Sequence, residues 1–297
     1  MNGFIVLFEE KEGTSPLVRL LDNFERISVV HHDNGGGWEP FDQHNCGPMT
    51  EADLSTCFDV LYSGGPIDME RLNQVYTRTA PRGLASIGPD TAVGFKMRLR
   101  SPKRSWREAR ARGLLSRLSR NVFGPGKDRA FEAQLIEDLK RNNVVVFIAV
   151  RQDVFRWGLS KYHGDGTGKQ GHIQFKLAQG EITRNEIPTI NINCDRLGRT
   201  VDLCEQLHAK KRQLMEDLKR AGVRTHALLY EDFLHDKPAY FCRMFDLLEL
   251  DVSDTEIQQA LEQGTFFEKV HSDKISDFVE NHEEVLEKFG KRFVSWA

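Results

Sequence analysis

Residues 144–150, with the sequence VVVFIAV, are the strongest strand signal in the chain. A short uninterrupted apolar run, rich in β-branched residues, predicts a strand that is buried on both faces, as in parallel sheets. Residues 4–8 (FIVLF) have the same character, and the segments 27–30, 92–97 and 224–229 add three shorter strands. Segments with helical spacing lie between them, so we expect an α/β fold with a mainly parallel central sheet flanked by helices.

Apolar residues at helical spacing predict the helices. These cover residues 16–24, 106–118, 131–141, 153 onward, 201–220, 236–248 and 255–261. No repeat and no linker interrupts the pattern, so we expect a single domain over residues 1–297.

The overall composition narrows the class of protein. No stretch approaches the roughly 20 apolar residues that a membrane helix needs, and the first apolar run meets charged residues too early for a signal peptide. The five cysteines form no CxxC pair, which favours reduced thiols and a cytoplasmic location. The ten histidines show no zinc-site spacing, so we expect no metal.

The net charge of −3 conceals an uneven distribution. Residues 96–129 hold twelve Lys or Arg and two acids, about +10, which leaves about −13 for the remainder. This balance argues against general nucleic-acid binding, and it marks the basic segment, as an insertion or lid, as a candidate to face an anion. The alternative is a solvated basic helix.

The loop after the first strand has the features of an anion site. Lys11 supplies a positive charge, Gly13 allows close approach, and Thr14 and Ser15 add hydroxyl donors before Pro16 opens a helix. The spacing is not that of a Walker A loop. An ordinary strand–helix turn is the alternative, and three nearby acids (Glu9, Glu10 and Glu12) favour it unless they point away.

A second candidate anion site follows the strand at 144–150. Arg151 stands at the carboxyl end of that strand, where open α/β sheets bind ligands. Arginine binds phosphate in a bidentate manner, and Ser160 on the next helix is placed to offer its hydroxyl to the same phosphate. A helix start with a solvated arginine is the alternative.

These two motifs in this order resemble sulfotransferases that use 3′-phosphoadenosine-5′-phosphosulfate. The pattern is [K/R]-x-G-[S/T]-S after strand one and R-x-D-x-x-R-x-x-x-S after a later strand, whose Arg-to-Ser spacing of nine resembles the bacterial carbohydrate (trehalose-type) branch. Residues 230–233 (YEDF) resemble the family's YEDL. Residues 274–277 (KISD), with Asn281, Glu283 and Glu284, resemble its nucleotide-side segment.

The resemblance implies specific roles. Lys11, Gly13, Thr14 and Ser15 would hold the 5′-phosphosulfate, with Lys11 polarising the bridging oxygen. Arg151 and Ser160 would hold the 3′-phosphate, and Lys274 would contact the nucleotide, with 3′,5′-diphosphoadenosine as the product. Glu10 and Glu12 depart from the family's pattern, which has small, polar or basic residues there.

The loop after the second strand carries the candidate base. Glu39, in the stretch Trp38-Glu39-Pro40-Phe41, resembles the general base of carbohydrate sulfotransferases, which takes the acceptor proton. His32 and His31 are the rivals. Trp38 and Phe41 are expected to contact the acceptor. We expect this loop to lie beside the loop that follows the first strand.

Two further segments are assigned to the substrate side. Lys96 matches a G-[FV]-K strand of the same branch and would face donor or acceptor; a surface lysine is the alternative. Residues 166–171 spell G-x-G-x-x-G, but they follow a predicted helix and not a strand, so a dinucleotide fingerprint is rejected. A substrate-side loop with His172 is the better interpretation.

The sequence therefore predicts an enzyme that transfers a sulfuryl group to a hydroxyl of a carbohydrate or polar metabolite. Two alternatives stay open: a P-loop-like kinase or other phosphotransferase, and a non-catalytic nucleotide-binding protein of the same fold. The kinase would need a Mg²⁺-binding Ser/Thr and Asp set that the sequence does not display. An oligomer remains open as well.

Overall fold

The computed structural model describes residues 3–30, 50–62, 67–75, 91–99, 128–166, 180, 181, 183, 186, 189–263 and 274–296. The strands are β1 (Gly3–Phe8), β2 (Ile27–Val29), β3 (Ala92–Arg98), β4 (Val144–Val150) and β5 (Thr225–Leu229). The helices are α1 (Thr14–Leu21), α2 (Glu51–Leu61), α3 (Met69–Val75), α4 (Asp128–Arg141), α5 (Val154–Gly166), α6 (Cys194–Arg220), α7 (Tyr230–His235), α8 (Lys237–Leu248), α9 (Asp254–Gln263) and α10 (His282–Phe289), with a 3₁₀ turn at Ile275–Asp277. The five predicted strands are confirmed.

All five strands pair in parallel, in the order β2-β3-β1-β4-β5. The predicted α/β class with a parallel central sheet is therefore confirmed. The chain leaves β1 towards β2 and leaves β4 in the opposite direction towards β5. Neighbouring strands whose connections diverge open a crevice at their carboxyl ends, where such sheets bind ligands. In this sheet the connections diverge between β1 and β4.

In the sheet, β3 lies between β1 and β2. The reason is burial. β3 has six of its seven residues buried and takes an interior place, whereas β2 has only three residues and takes the edge, where short strands are tolerated. The chain therefore leaves β2 at the same end of the sheet as it leaves β1, but two strand spacings away, roughly 10 Å.

The chain forms two compact units. The larger comprises Met1–Val150 and Lys210–Gly264, and the smaller comprises Arg151–Ala209 and Thr265–Ala297. The single domain over residues 1–297 stays a prediction.

The larger unit contains the sheet, whose two faces are both covered. Phe4, Val6 and Phe8 of β1 pack with α1 and α8 on one face, whereas Ile5 and Leu7 meet residues of α4 and α6 on the other. Alternate residues of one strand thus serve opposite layers. This two-sided burial explains why β1 and β4 are apolar throughout.

The smaller unit packs α5, the first part of α6 and α10 around Trp157. Its core includes Leu197 and Val201 of α6 and Phe278 after the 3₁₀ turn. Residues 292–294 form an antiparallel pairing with the start of α5, through a bridge between Asp153 and Phe293.

Candidate functional site

The loop between β1 and α1 has an unusual backbone. Lys11 has a φ of 67° and Gly13 a φ of 76°, both in the left-handed region. A lysine there is uncommon and costs free energy, and such positions cluster at functional sites. Helix α1 follows, with no acid in its first turn, and no side chain of the described residues caps it. Its first amide groups therefore offer donors to an anion.

Gly13 also lies against the ring of Tyr230, the first residue of α7. A Cβ atom built on Gly13 would lie 2.3 Å from Cε2 and 2.4 Å from Cδ2 of Tyr230. The structure thus brings residues 230–233 (YEDF) against the loop between β1 and α1 within the larger unit. Phe233 of that segment is buried in the core, so α7 is anchored where its tyrosine supports the loop.

Replacing Gly13 with Ala should deform this loop, and the control is Gly222→Ala. Both glycines have positive φ (76° and 84°), so each alanine carries the left-handed strain of about 1–3 kcal/mol. Only at Gly13 does the new methyl group collide with a ring; at Gly222 the nearest atom is 3.9 Å away. Thermal denaturation should show a clearly larger loss for Gly13→Ala. Equal losses would mean that the Tyr230 contact does not shape the loop.

The acid next to Gly13 is tied into the interior. Glu12 and Lys211 of α6 form an ion pair in which both side chains are fully buried, with Lys211 Nζ at 2.5 Å from each carboxylate oxygen. Lys211 also donates to the carbonyl of Ala149 on β4 at 2.6 Å, and the Glu12 carboxylate accepts from the Glu9 amide at 2.7 Å. The pair therefore fixes the loop between β1 and α1 to the neighbouring strand β4.

The Glu12 carboxyl has a perturbed pKa. Burial raises the pKa of Glu12 to about 7, and the opposing attraction of Lys211 limits that rise. Glu10 forms a second pair, with Arg98 of β3 at 2.8 Å. Two of the three acids that stand near the loop in the sequence are thus directed into ion pairs, and Glu9 is buried. The charges of Glu10 and Glu12 are therefore each balanced by a neighbouring cation.

Lys96 lies at the start of α1. Its side chain is only 5% exposed, its Nζ donates to Ser15 Oγ at 3.1 Å, and it lies 4.6 Å from the centroid of the Phe8 ring. The alternative of an exposed surface lysine is therefore wrong. A buried cation beside the first turn of α1 adds to the positive potential that the helix end provides.

In the smaller unit, the predicted pair of Arg151 and Ser160 is in contact. One guanidinium nitrogen of Arg151 donates to Ser160 Oγ at 3.2 Å. Asp153 starts α5 by accepting from the Arg156 amide at 2.8 Å, which sets the helix so that residue 160 faces back to residue 151. Next to Ser160, Lys161 is buried and lies 5.8 Å from the Trp157 ring.

Lys274 and Asn281, in the segment that was predicted to face the nucleotide, have different surroundings. Lys274 is exposed and its carbonyl caps the 3₁₀ turn, accepting from Asp277 at 3.2 Å. Asn281 is occupied by structure: its side chain accepts from the amide of Ile192 and donates to the carbonyl of the same residue. Asn281 therefore holds the chain before α6, at Ile192, against the start of α10.

Several predicted site residues lie outside the described residues: His31, His32, Trp38, Glu39, Phe41 and His172. The same holds for positions 100–127 of the basic segment and for the helix predicted within them. Their roles stay predictions.

The sequence reasoning missed Lys211 and His208. Both lie on α6 among buried residues: Cys204, Leu207, Leu214 and Leu218 repeat at helical spacing, and Lys211 falls within that stripe. A lysine on the apolar face of an amphipathic helix was the available signal, because such a residue needs an internal partner. The sequence alone did not identify Glu12 as that partner.

Two general features concern only the part of the chain that the structure describes. There, no group of three or more His, Cys, Asp or Glu side chains is arranged to hold a metal ion. Among the same residues, no helix has the length and apolar character to cross a membrane.

No family model and no curated protein matches the sequence. Solved structures give weak similarities. The sulfotransferase domain from the Synechococcus PCC 7002 olefin synthase has 12% identity and a TM-score of 0.40, covering 100% of this chain and 90% of that one. The sulfotransferase domain from the curacin biosynthetic pathway has 11% sequence identity and a TM-score of 0.39, and the match covers 100% of this chain and 93% of that one. Sulfotransferase STF9 from Mycobacterium avium has 13% sequence identity and a TM-score of 0.36, and the match covers 97% of this chain and 75% of that one. These values do not establish a family, so the function is argued from the site itself.

Proposed function

We propose that the protein is a sulfotransferase that moves a sulfuryl group from 3′-phosphoadenosine-5′-phosphosulfate to a hydroxyl of a carbohydrate or other polar metabolite. The observation that carries the proposal is the start of α1. There an uncapped helix end, a left-handed Lys11 and the buried Lys96 meet, while Glu10 and Glu12 are engaged in ion pairs. This is a fixed cationic site for an anion.

The larger unit would hold the reacting end of the donor. The amides of Gly13 and Thr14 and the hydroxyls of Thr14 and Ser15 would bind the 5′-phosphosulfate. The hydrogen bond between Lys96 and Ser15 favours the donor side for Lys96 over the acceptor side. In the transfer, the acceptor oxygen would form a bond to sulfur and give its proton to the base assigned to Glu39, while the bond from sulfur to the bridging oxygen breaks with its electron pair left on the phosphate. Lys11 and the helix end would stabilise that developing charge.

The smaller unit would hold the 3′-phosphate. Arg151 and Ser160, already in contact at 3.2 Å, present a guanidinium and a hydroxyl together, and Lys274 would add a contact to the nucleotide. Residues 96–98 of the basic segment belong to β3 and residues 128–129 to α4, so they are not part of an insertion or lid. Positions 100–127 of that segment would face an anionic acceptor.

The two alternatives differ in what they require. A kinase would need Mg²⁺ to neutralise its phosphates, whereas a sulfotransferase uses fixed cations and amide groups. A non-catalytic binding protein was favoured by the acids around Lys11, and the internal pairing of Glu10 and Glu12 removes part of that support.

Calorimetric titration separates these functions. The protein should bind 3′,5′-diphosphoadenosine in the presence of a chelator, and more tightly than ATP or NAD. Tight binding of ATP only with Mg²⁺ would favour the kinase. Binding of the diphosphoadenosine without sulfation of any acceptor in a screen with labelled donor would favour the non-catalytic protein.

Replacing Arg151 with Ala should weaken binding of 3′,5′-diphosphoadenosine by about 1.5–3 kcal/mol, because it removes a charged hydrogen-bonding partner. Arg151→Lys should recover only part, since lysine keeps the charge without the bidentate geometry. Arg199→Ala on α6, which removes an exposed arginine from the same unit, is the control for loss of overall charge. Unchanged affinity in Arg151→Ala would remove the assignment of this motif.

A further inference from the structure

Residues 292–296, named here the clasp, run alongside the segment that follows β4. The Val294 amide donates to the carbonyl of Gln152 at 3.0 Å, and the Phe155 amide donates to the carbonyl of Arg292 at 3.2 Å. Asp153 and Phe293 face each other in the antiparallel bridge between these bonds. The clasp thus holds the stretch between Arg151 and α5 from one side.

Both ends of the clasp are attached to α6. At the first end, Arg292 forms hydrogen-bonded ion pairs with Glu205 at 2.6 Å and Asp202 at 2.8 Å. At the other end, the indole N–H of Trp296 donates to Nδ1 of His208 at 2.6 Å. These partners share one helix, so the clasp has two fixed points on a rigid element.

His208 connects the clasp to Arg151. Its imidazole is 1% exposed, and its Nε2 lies 2.9 Å from the carbonyl oxygen of Arg151. Because Nδ1 accepts from Trp296, the proton of the neutral ring belongs on Nε2, which then donates to that carbonyl. The Trp157 ring meets the imidazole edge-on at 5.3 Å and limits its rotation. Trp296 therefore sets both the tautomer and the orientation of the ring.

We propose that Trp296 and His208 are positioning residues for Arg151 and that, through them, the clasp sets the preference for a nucleotide that carries a 3′-phosphate. The relay fixes the main chain of Arg151, and Ser160 holds its guanidinium, so both ends of this residue are restrained before a ligand arrives. A restrained guanidinium loses less entropy on binding phosphate. This inference rests on the proposed function, in which Arg151 binds the 3′-phosphate.

The test measures dissociation constants for 3′,5′-diphosphoadenosine and for adenosine 5′-phosphate, which lacks the 3′-phosphate. Their ratio isolates the gain from the 3′-phosphate. Trp296→Phe keeps a ring at a half-buried position but loses the N–H donor, and the ratio should fall by about two- to tenfold, the worth of one hydrogen bond. Affinity for adenosine 5′-phosphate should stay unchanged. A purely structural role would weaken both ligands alike.

The same measurement on His208→Phe and on the double variant tests the relay. If Trp296 acts through His208, the double variant should be no worse than His208→Phe alone, because residues in one chain of contacts are not additive. Phe293→Ala removes an exposed side chain (57%) from the clasp and should leave the ratio unchanged. Circular dichroism shows whether each variant is folded. If His208→Phe does not fold, the ratio measured on Trp296→Phe tests the inference by itself.

The outcomes distinguish a failure of the proposed function from a failure of the clasp inference. Equal affinity of the parent protein for both nucleotides would overturn the assignment of Arg151 and thus the proposed donor. A parent that prefers the 3′-phosphorylated nucleotide, with an unchanged ratio in Trp296→Phe, would overturn the clasp inference and leave the proposed function standing. An equal fall in Phe293→Ala would also overturn it, because the effect would then not pass through the indole and the imidazole.

Discussion

Replacing Lys211 with Met should lower the free energy of unfolding by about 3–5 kcal/mol at pH 8, because the buried Glu12 carboxyl must then either stay charged without its cation or hold a proton that the unfolded chain releases. Both side chains are fully buried, and Lys211 Nζ has three oxygen acceptors in the described structure: the two Glu12 oxygens and the Ala149 carbonyl. Chemical denaturation monitored by tryptophan fluorescence measures the loss. A loss as small as that of a surface substitution would mean that the pair does not hold the loop.

Two further variants separate the pair from its charges. In the double variant Glu12→Gln with Lys211→Met, no charge is buried and the amide oxygen still accepts from Glu9, so most of the lost stability should return. Lys288→Met removes a lysine from the exposed pair with Glu284, at 2.6 Å on one helix face. It should leave stability nearly unchanged, since exposed ion pairs contribute little. A double variant as unstable as Lys211→Met alone would contradict the charge argument.

The pH dependence of these losses follows from the pKa of Glu12. Burial raises that pKa from 4.5 to about 7, so between these values the folded protein keeps a proton that the unfolded chain releases. This contribution to stability is complete below pH 4.5 and is lost as the pH rises towards 7. In Lys211→Met the opposing cation is gone and the pKa of Glu12 rises further, so the loss continues above pH 7. The gap between parent and variant should therefore widen from pH 7 to 9, by up to about 1.4 kcal/mol per pH unit.

The strands of this fold were predictable because local sequence decides them. In β1 and β4 every residue is buried, and such strands must be apolar throughout. Helix ends were predicted less well. The helix predicted from residue 201 begins at Cys194, because Leu197 already belongs to its buried stripe although polar neighbours and Gly198 weaken the local pattern.

The candidate site was predictable only where its groups are close in the chain. Arg151 and Ser160 are nine residues apart and meet across one helix start, so their spacing carried the information. Glu12 and Lys211 are separated by 199 residues, and Trp296 and His208 by 88. Such pairs depend on how strands are ordered and where helices pack, and one sequence specifies neither directly. The strand order, with β3 between β1 and β2, is another feature of this kind.

Replacing Glu39 with Gln should lower kcat by about 10²–10⁴-fold, the usual contribution of a general base, and leave the affinity for 3′,5′-diphosphoadenosine near that of the parent. Gln keeps the size and hydrogen-bonding capacity of the side chain and removes its basicity. An ordinary carboxyl has a pKa near 4.3 and is ionised at neutral pH, ready to take the acceptor proton. Glu39 lies outside the described residues, so the prediction depends on the resemblance of its loop and on the sheet edge from which that loop departs.

The decisive comparison is with His32→Ala, measured with the same acceptor and the same donor concentration. Loop length makes Glu39 a feasible base despite the place of β2: ten residues separate Glu39 from the end of that strand. An extended chain of that length spans up to about 33 Å, well beyond the roughly 10 Å between β2 and β1. His32 is only three residues from the strand end, or about 10 Å of chain, which leaves little excess reach. We therefore expect His32→Ala to keep most of the activity. An essential His32 beside a dispensable Glu39 would assign the base to the histidine and weaken the likeness to the carbohydrate branch, and full activity in both variants would place the base in another part of the chain.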